Sequence, residues 1–217
     1  MAQLQSIGER IWMADGPIVD FYSAPYPTRM VIVQLEGDAL WVWSPIKLNE
    51  AMQTEVEALG RPAHLVSPNK IHHLFLSGWH EKWPDALLWG PASTVRKRDD
   101  LPFQAPLEDV PPPEWGGDID QAWFRGSFAM DEIVFFHRPS RTAIIADLIE
   151  AFSEDFLKQH WSWWLRPLAR LDGITAKSPH APGEWRLSFT NRLLARAARD
   201  KIVGWAPHQV TIAHGEW

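Results

Sequence analysis

Three histidines and one aspartate lie close to the predicted ends of strands, and these residue types suit a metal site. His72 and His73 follow the apolar run "AHLVS" and Pro68. Asp147 ends the run "TAIIAD", and His214 ends the run "VTIAH". Because side chains at strand ends converge on one cleft in layered α/β folds, these four are predicted to meet. Imidazole and carboxylate ligands together suit zinc, iron(II) or manganese, so one divalent metal ion is expected here.

Each of these residues also has a purely structural interpretation. A single histidine at a strand end is commonly a hydrogen-bonded structural residue, and Asp147 precedes a segment of helical pattern that it could cap. Adjacent residues on a regular helix point about 100° apart, so His72 and His73 can share one ion only on a loop or at a helix start. Pro68 predicts a loop or helix start at that point, which favours the metal site without excluding the structural interpretation.

Composition bounds the class of protein. The 217 residues are 46% hydrophobic, which predicts one domain over residues 1–217 with a sizeable core. The absence of cysteine excludes disulfides and thiolate zinc sites. A formal net charge of −6 argues against a general nucleic-acid binder. No apolar run reaches the roughly 18 residues of a membrane span, and no signal peptide is visible, so a cytoplasmic location without membrane partners is expected.

The chain is rich in tryptophan, with fourteen copies. They are either large core residues or the lining of an aromatic pocket or partner surface, and their spacing does not separate these interpretations. The sequence contains no G-x-S-x-G elbow, and it contains no G-x-G-x-x-G or Walker loop. It therefore indicates neither a serine hydrolase nor a nucleotide cofactor.

Hydrophobic patterning predicts an α/β fold. Strands dominate residues 9–45, where "MVIVQL" and "ALWVWSP" form a hairpin, and a helix follows over 49–60. Next come a strand "AHLVS", a helical "KIHHLFLSGWHEKW", a strand "DALLWG" and a surface excursion over 98–117. A second hairpin pairs "DEIVFF" with "TAIIADL", and a helical, aromatic segment spans 150–171. A basic amphipathic helix in "SFTNRLLARAARDKIVGW" and a strand "QVTIAHG" complete the chain, so two layered sheets with helices are expected.

Several of these segments resemble the metallo-β-lactamase superfamily. The order of "SPNKIHH", "IIADL" and "TIAHGEW" is similar to its T-H-x-H-x-D-H loop, its strand ending in aspartate and its late histidine turn. The runs "PYPTRMVIVQL", "SPNKIHHLFL", "EIVFFHRPSRTAIIADLI" and "VTIAHGEW" resemble more closely a bacterial family of uncharacterised proteins within it, over most of the chain. The resemblance implies a four-layer αββα sandwich.

The loop motif is degenerate at the positions of one metal ion. When "SPNKIHH" is laid on the family loop, Pro68 and Lys70 take the places of its first two histidines. The family's middle-loop histidine would fall around Ser127, where no histidine stands. The resemblance therefore implies that the first metal ion is lost, and that the ammonium of Lys70 replaces its positive charge.

The positions of the second metal ion all retain residues that can ligate. His72 falls at the loop aspartate, His73 at the last loop histidine, Asp147 at the bridging aspartate and His214 at the late histidine. The resemblance implies a one-metal hydrolase-like protein acting on an ester, lactone or amide of unknown identity. Zinc is expected first, with iron or manganese as alternatives. Asp147 would be a ligand or the base that orients water, and Lys70 would stabilise developing negative charge.

A second interpretation is that the chain is not an enzyme. The loss of three ligands is also expected of a catalytically inactive protein that keeps the fold as a binding or interaction module, with the tryptophans supplying an apolar surface. Neither oligomeric state nor substrate leaves a sequence signal.

Overall fold

The computed structural model describes residues 3–21 and 24–216. Its strands are β1 (Gln5–Gly8), β2 (Ile11–Asp15), β3 (Val19–Phe21), β4 (Ala24–Tyr26), β5 (Arg29–Gln34), β6 (Ala39–Trp43), β7 (Arg61–Val66), β8 (Leu87–Trp89), β9 (Ile119–Phe124), β10 (Glu132–His137), β11 (Thr142–Ala151) and β12 (Gln209–Gly215). Its α-helices are α1 (Glu50–Leu59), α2 (Leu76–Lys82), α3 (Ala92–Lys97), α4 (Glu154–His160), α5 (Arg166–Asp172), α6 (Gly183–Leu187) and α7 (Arg192–Gly204).

Two sheets form the centre of the molecule. The larger has the order β1-β2-β5-β6-β7-β8, antiparallel as far as β6 and parallel from β6 to β8. The smaller has the order β12-β11-β10-β9, in which β11 and β12 run parallel and the other pairs antiparallel. The hairpin of β3 and β4 stands apart as a two-stranded sheet. Both predicted hairpins are confirmed, as β5–β6 and β10–β11.

Strand β5 shows why the sheets carry cores on both faces. Side chains alternate across a strand, so Val31 and Val33 enter the core between the two sheets while Met30 and Ile32 face the opposite side. That opposite side is covered by α1 and α2, and Ile202 of α7 packs on the outer face of the smaller sheet. The layers are therefore helix, sheet, sheet and helix, which confirms the predicted four-layer αββα sandwich.

Helix α1 follows the local signals of its sequence. The Asn49 side chain accepts a hydrogen bond from Met52 N at 2.9 Å, which satisfies one free N–H of the first turn. Met52 and Val56, four residues apart, are both fully buried against the larger sheet. Gly60 follows the last helical residue, so the helix predicted over 49–60 is confirmed.

Two predicted elements are wrong in extent, and one strand was not predicted. The helix predicted from Lys70 begins at Leu76, because residues 70–75 form turns. Strand β11 continues to Ala151, so the helical segment predicted from Glu150 starts only at α4. Strand β9 was not predicted, because its polar Asp120 and Gln121 obscure a strand pattern, yet the Gln121 amide donates to loop carbonyls.

Most tryptophans described by the structure fill the interior. The buried ones are Trp41, Trp43, Trp79, Trp89, Trp115, Trp161 and Trp185, whereas Trp163 and Trp164 are exposed. The interpretation of tryptophan as a core residue therefore holds for seven of the thirteen tryptophans that the structure describes. No helix within residues 3–21 and 24–216 has both the length and the apolar character needed to span a membrane.

Candidate metal centre

The carboxyl ends of parallel strands assemble the site at one edge of the sandwich. His72 lies on the loop after β7, and Ser44, directly after the neighbouring β6, contacts its ring. Asp147 lies within β11, where the pairing with β12 is interrupted between Ile145 and Glu150. His214 lies near the end of β12. His72 and His214 thus lie where strands end, as predicted, whereas Asp147 lies inside β11 at an interruption of its pairing and not at the strand end.

Asp147 stands between two imidazoles. Its Oδ2 lies 3.2 Å from His72 Nε2, and its Oδ1 lies 3.2 Å from His214 Nε2. One ligand atom from each of the three residues lies within 4.8 Å of the others, and all three side chains are at most 8% exposed. Within the described residues, this is the one group of three or more histidine and acidic side chains arranged so that it could hold a metal ion.

The outer nitrogens of both rings are held by hydrogen bonds. His214 Nδ1 lies 2.7 Å from the carbonyl oxygen of Pro27, which can only accept, so this nitrogen carries the hydrogen. His72 Nδ1 lies 2.8 Å from Ser44 Oγ, which can donate or accept. With its hydrogen on Nδ1, His214 would present the lone pair of Nε2 to a metal ion, as a metal-ligating histidine does. The donor set fits a divalent ion, because two imidazoles and one carboxylate leave coordination positions for water.

A buried polar network surrounds Asp147. Burial alone would raise the pKa of Asp147, but the charge and hydrogen bonds of His72 and His214 outweigh it and hold the pKa well below its ordinary value. Glu132 is also fully buried, and burial together with the charge of Asp147 raises its pKa to about 8. Hydrogen bonds from two backbone N–H groups and from Asn69 oppose that increase. The two carboxyl groups are thus pushed in opposite directions by different surroundings.

The structure does not bring His73 into the group, which corrects the predicted set of four ligands. The His73 ring lies beside Arg98, with Nδ1 3.2 Å from Nη1 of the guanidinium. Burial and the positive charges of Lys97 and Arg98 lower the pKa of His73 to about 4. The cause is local, because adjacent side chains on a turn diverge, and only His72 faces Asp147.

Lys70 reaches across the site to a different loop. Its ammonium donates to the carbonyl oxygen of Ala129, and its side chain contributes to the same cavity wall as His72 and Asp147. Ser127, on that loop, accepts hydrogen bonds from the backbone N–H groups of Ala129 and Met130. Lys70 and Ser127, two of the positions at which the family resemblance implied lost ligands, are thus linked through Ala129.

A cavity of about 550 Å³ opens over the cluster. Its apolar wall includes Phe21, Ile71, Leu74, Phe128 and Met130. Its other polar groups include Lys70, Glu150 and Tyr26, whose hydroxyl donates to Glu150 Oε2 at 3.4 Å. Burial raises the pKa of Glu150 well above its ordinary value, and the charge of Asp147 adds to that effect. The site therefore combines three residues that could hold a metal ion with a mainly apolar cavity wall.

Sequence reasoning missed the residues that support the cluster. Asn69, Glu132 and Ser44 all contact a ligand residue, and none of them was predicted. Asn69 had a weak signal, since it precedes the histidines directly in "SPNKIHH". Glu132 had none, because an acidic residue at the start of a strand is usually exposed.

Comparison with known proteins supports the fold. No protein-family model matches the chain, and no curated protein matches its sequence. DIM-1 metallo-β-lactamase exposed to ceftazidime matches with 12% identity and a TM-score of 0.64, over 99% of this chain and 90% of that one. FIM-1 from Pseudomonas aeruginosa, in its mono-zinc form, matches with 12% identity and a TM-score of 0.63, over 99% and 88%. A metallo-β-lactamase from Pontibacter korlensis matches with 10% identity and a TM-score of 0.62, over 100% of this chain and 93% of that one. The chain therefore has the metallo-β-lactamase fold.

Proposed function

We propose that this chain, which has the metallo-β-lactamase fold, is a single-metal hydrolase-like protein that acts on an ester, lactone or amide. The observation that carries the proposal is the cluster of His72, Asp147 and His214, whose ligand atoms lie within 4.8 Å of one another. The cluster lines a cavity large enough for a small organic substrate. Zinc is the first candidate for the ion, and iron or manganese suits the same ligands.

The residues of the chain have distinct roles in this proposal. His72 and His214 bind the ion as neutral imidazoles, each with its outer nitrogen fixed by a hydrogen bond. Asp147 either binds the ion or orients water as a base. The Lys70 ammonium stabilises negative charge that develops on the substrate, a role worth on the order of a few kcal/mol in comparable sites. A bound divalent ion supplies acidity to a coordinated water and polarises the substrate carbonyl.

Metal content and hydrolysis together test the proposal. The purified protein and a His72→Ala/His214→Ala double variant are loaded with zinc, manganese or iron(II), dialysed and analysed for metal by mass spectrometry. The expected result is one ion per chain in the wild type and none in the double variant. A matched control replaces two exposed histidines, as His180→Ala/His208→Ala, and retains the ion. Turnover of a panel of aryl esters, lactones and anilides is then measured with each loaded protein.

The binding-module interpretation predicts a different outcome. The mainly apolar cavity lining and the absence of ligands at Pro68, Lys70 and Ser127 favour it. In that case the wild type takes up no stoichiometric metal, and an apolar fluorescent probe still binds the cavity. A wild type that holds one ion and hydrolyses one class in the panel excludes this interpretation.

A further inference from the structure

Glu132 occupies an unusual place in the smaller sheet. The pairs Phe135–Ile144, Phe136–Ala143 and His137–Thr142 set a register that would bring Glu132 opposite Asp147, but backbone pairing stops at Phe135–Ile144. Beyond that point, the fully buried Glu132 carboxylate accepts hydrogen bonds from Ala146 N and Asp147 N, each at 2.8 Å. The Glu132 side chain thus accepts the hydrogen bonds of β11 that a neighbouring strand would accept in a regular sheet.

These two hydrogen bonds also show that the backbone at Asp147 departs from a regular strand. Successive N–H groups of a regular strand point to opposite sides. Here the N–H groups of Ala146 and Asp147 reach the same carboxylate, so the chain turns at this point. On its other side, β11 loses its pairing with β12 between Ile145 and Glu150. The segment with Asp147 therefore depends on the Glu132 side chain where regular ladder bonds are interrupted.

Asn69 fixes the carboxylate of Asp147 itself. Its fully buried Nδ2 donates to Asp147 Oδ2 at 2.6 Å and to Glu132 Oε2 at 3.3 Å. Its Oδ1 accepts from Ile71 N at 3.0 Å, which ties it to the loop of His72. The terminal torsion of an aspartate is broad, so an added hydrogen bond restricts its rotation. With Oδ2 bound by Asn69, Oδ1 faces His214.

We propose that Glu132 and Asn69 are positioning residues for the metal site, Glu132 by holding the backbone of Asp147 and Asn69 by fixing the rotation of its carboxylate. This inference rests on the proposed function, because it assumes that Asp147 and the two imidazoles bind an ion. Partners of this kind typically change metal affinity by about 10–100-fold when they are replaced. Neither residue touches the substrate or the ion in this proposal.

The first test measures zinc affinity by competition with a chromophoric chelator at constant pH. Glu132→Gln keeps the shape of the side chain but leaves one acceptor for two N–H groups, and Asn69→Ser replaces the amide by a shorter hydroxyl that cannot make both sets of hydrogen bonds. Each variant is expected to raise the zinc Kd by about 10–100-fold while it retains a cooperative melting transition. Gln121→Leu is the control, because Gln121 is equally buried in the same sheet but donates to the carbonyls of Glu108 and Val110. The zinc Kd of the Gln121→Leu variant is expected to equal that of the wild type.

The second test needs no metal. Amide hydrogen exchange is followed by NMR in chelator-treated protein at Ala146 and Asp147. Both amides are expected to be protected in the wild type, and at least one loses protection in Glu132→Gln. If both amides exchange freely in the wild type, the role of Glu132 is overturned, and no variant is needed to show it.

The two tests separate failure of this inference from failure of the proposed function. If the wild type binds zinc and both variants bind it with wild-type Kd, the positioning roles are wrong and the metal site stands. If Gln121→Leu weakens zinc binding as much as the two variants, the effect is general instability and the inference is also overturned. A wild type that binds no ion refutes the proposed function. In that case, loss of exchange protection at Ala146 or Asp147 in Glu132→Gln still supports the role of Glu132 in holding the backbone.

Discussion

Replacing His72 or His73, two adjacent histidines, should have opposite consequences for metal binding. His72 Nε2 lies 3.2 Å from Asp147, whereas His73 lies beside Arg98 outside the cluster. His72→Ala therefore removes one of three ligands. His73→Ala removes an imidazole of the same loop and leaves the cluster intact. The pair makes a matched comparison, because both changes delete the same number of atoms one residue apart.

The size of the effect follows from linkage between binding and folding. An ion that binds only the folded chain at 100 times its Kd stabilises that chain by about 2.7 kcal/mol. The three ligands come from distant parts of the sequence, so the unfolded chain offers no preformed site. In a domain of about this size, 1 kcal/mol raises the melting temperature by roughly 2–4 °C. Zinc should therefore raise it by about 5–11 °C in the wild type and in His73→Ala.

Differential scanning calorimetry of chelator-treated protein, with and without zinc, measures this rise. In His72→Ala the rise is expected to vanish at the same zinc concentration. Magnesium serves as the control ion, because it prefers oxygen ligands. Loss of the rise in His73→Ala would show that His73 is a ligand, and a full rise in His72→Ala would refute the three-residue site.

Three further predictions concern stability and are measured by urea unfolding. Trp41→Ala should cost about 3–5 kcal/mol, because Trp41 is fully buried between the sheets, whereas the exposed Trp163→Ala should change stability by less than about 0.5 kcal/mol. Gly215→Ala should destabilise the chain by about 1–3 kcal/mol, because Gly215 has φ +104° and a Cβ there would overlap the Ala151 carbonyl oxygen. Burial lowers the pKa of His137 to about 4, with the charge of Arg10 adding to the effect. The unfolded chain therefore binds the proton first as pH falls from about 6.5 to 4, and up to about 3 kcal/mol of stability should be lost in that window, less in His137→Asn. Equal losses in both proteins would refute this assignment.

The fold was predictable because its local signals agree with its tertiary structure. The apolar run of β5, the Asn49 cap of α1 and the turn between β5 and β6 each specify one element without reference to distant contacts. Strand β9 was not predictable, because Gln121 finds its hydrogen-bond partners on a loop more than ten residues away. A strand whose polar residues are satisfied by tertiary contacts has no local signature.

The site was predictable only in part. His72, Asp147 and His214 were singled out because each follows or ends an apolar run, and the structure places their ligand atoms within 4.8 Å. The choice between His72 and His73 depends on how the loop turns, which adjacent identical residues cannot indicate. The contact of Glu132 with Asp147 depends on an interruption in strand pairing, which sequence alone does not reveal.

The positions without metal ligands have a structural explanation in the same network. The carbonyl of Pro68 accepts from Ile133 N at 2.8 Å, and the Lys70 ammonium donates to the carbonyl of Ala129. Ser127 caps the N–H of Ala129, so the two loops that would share a first metal ion are joined by hydrogen bonds and a lysine. A link of this kind persists when ions are removed. The loops on this side of the cavity are therefore joined by contacts that need no ion.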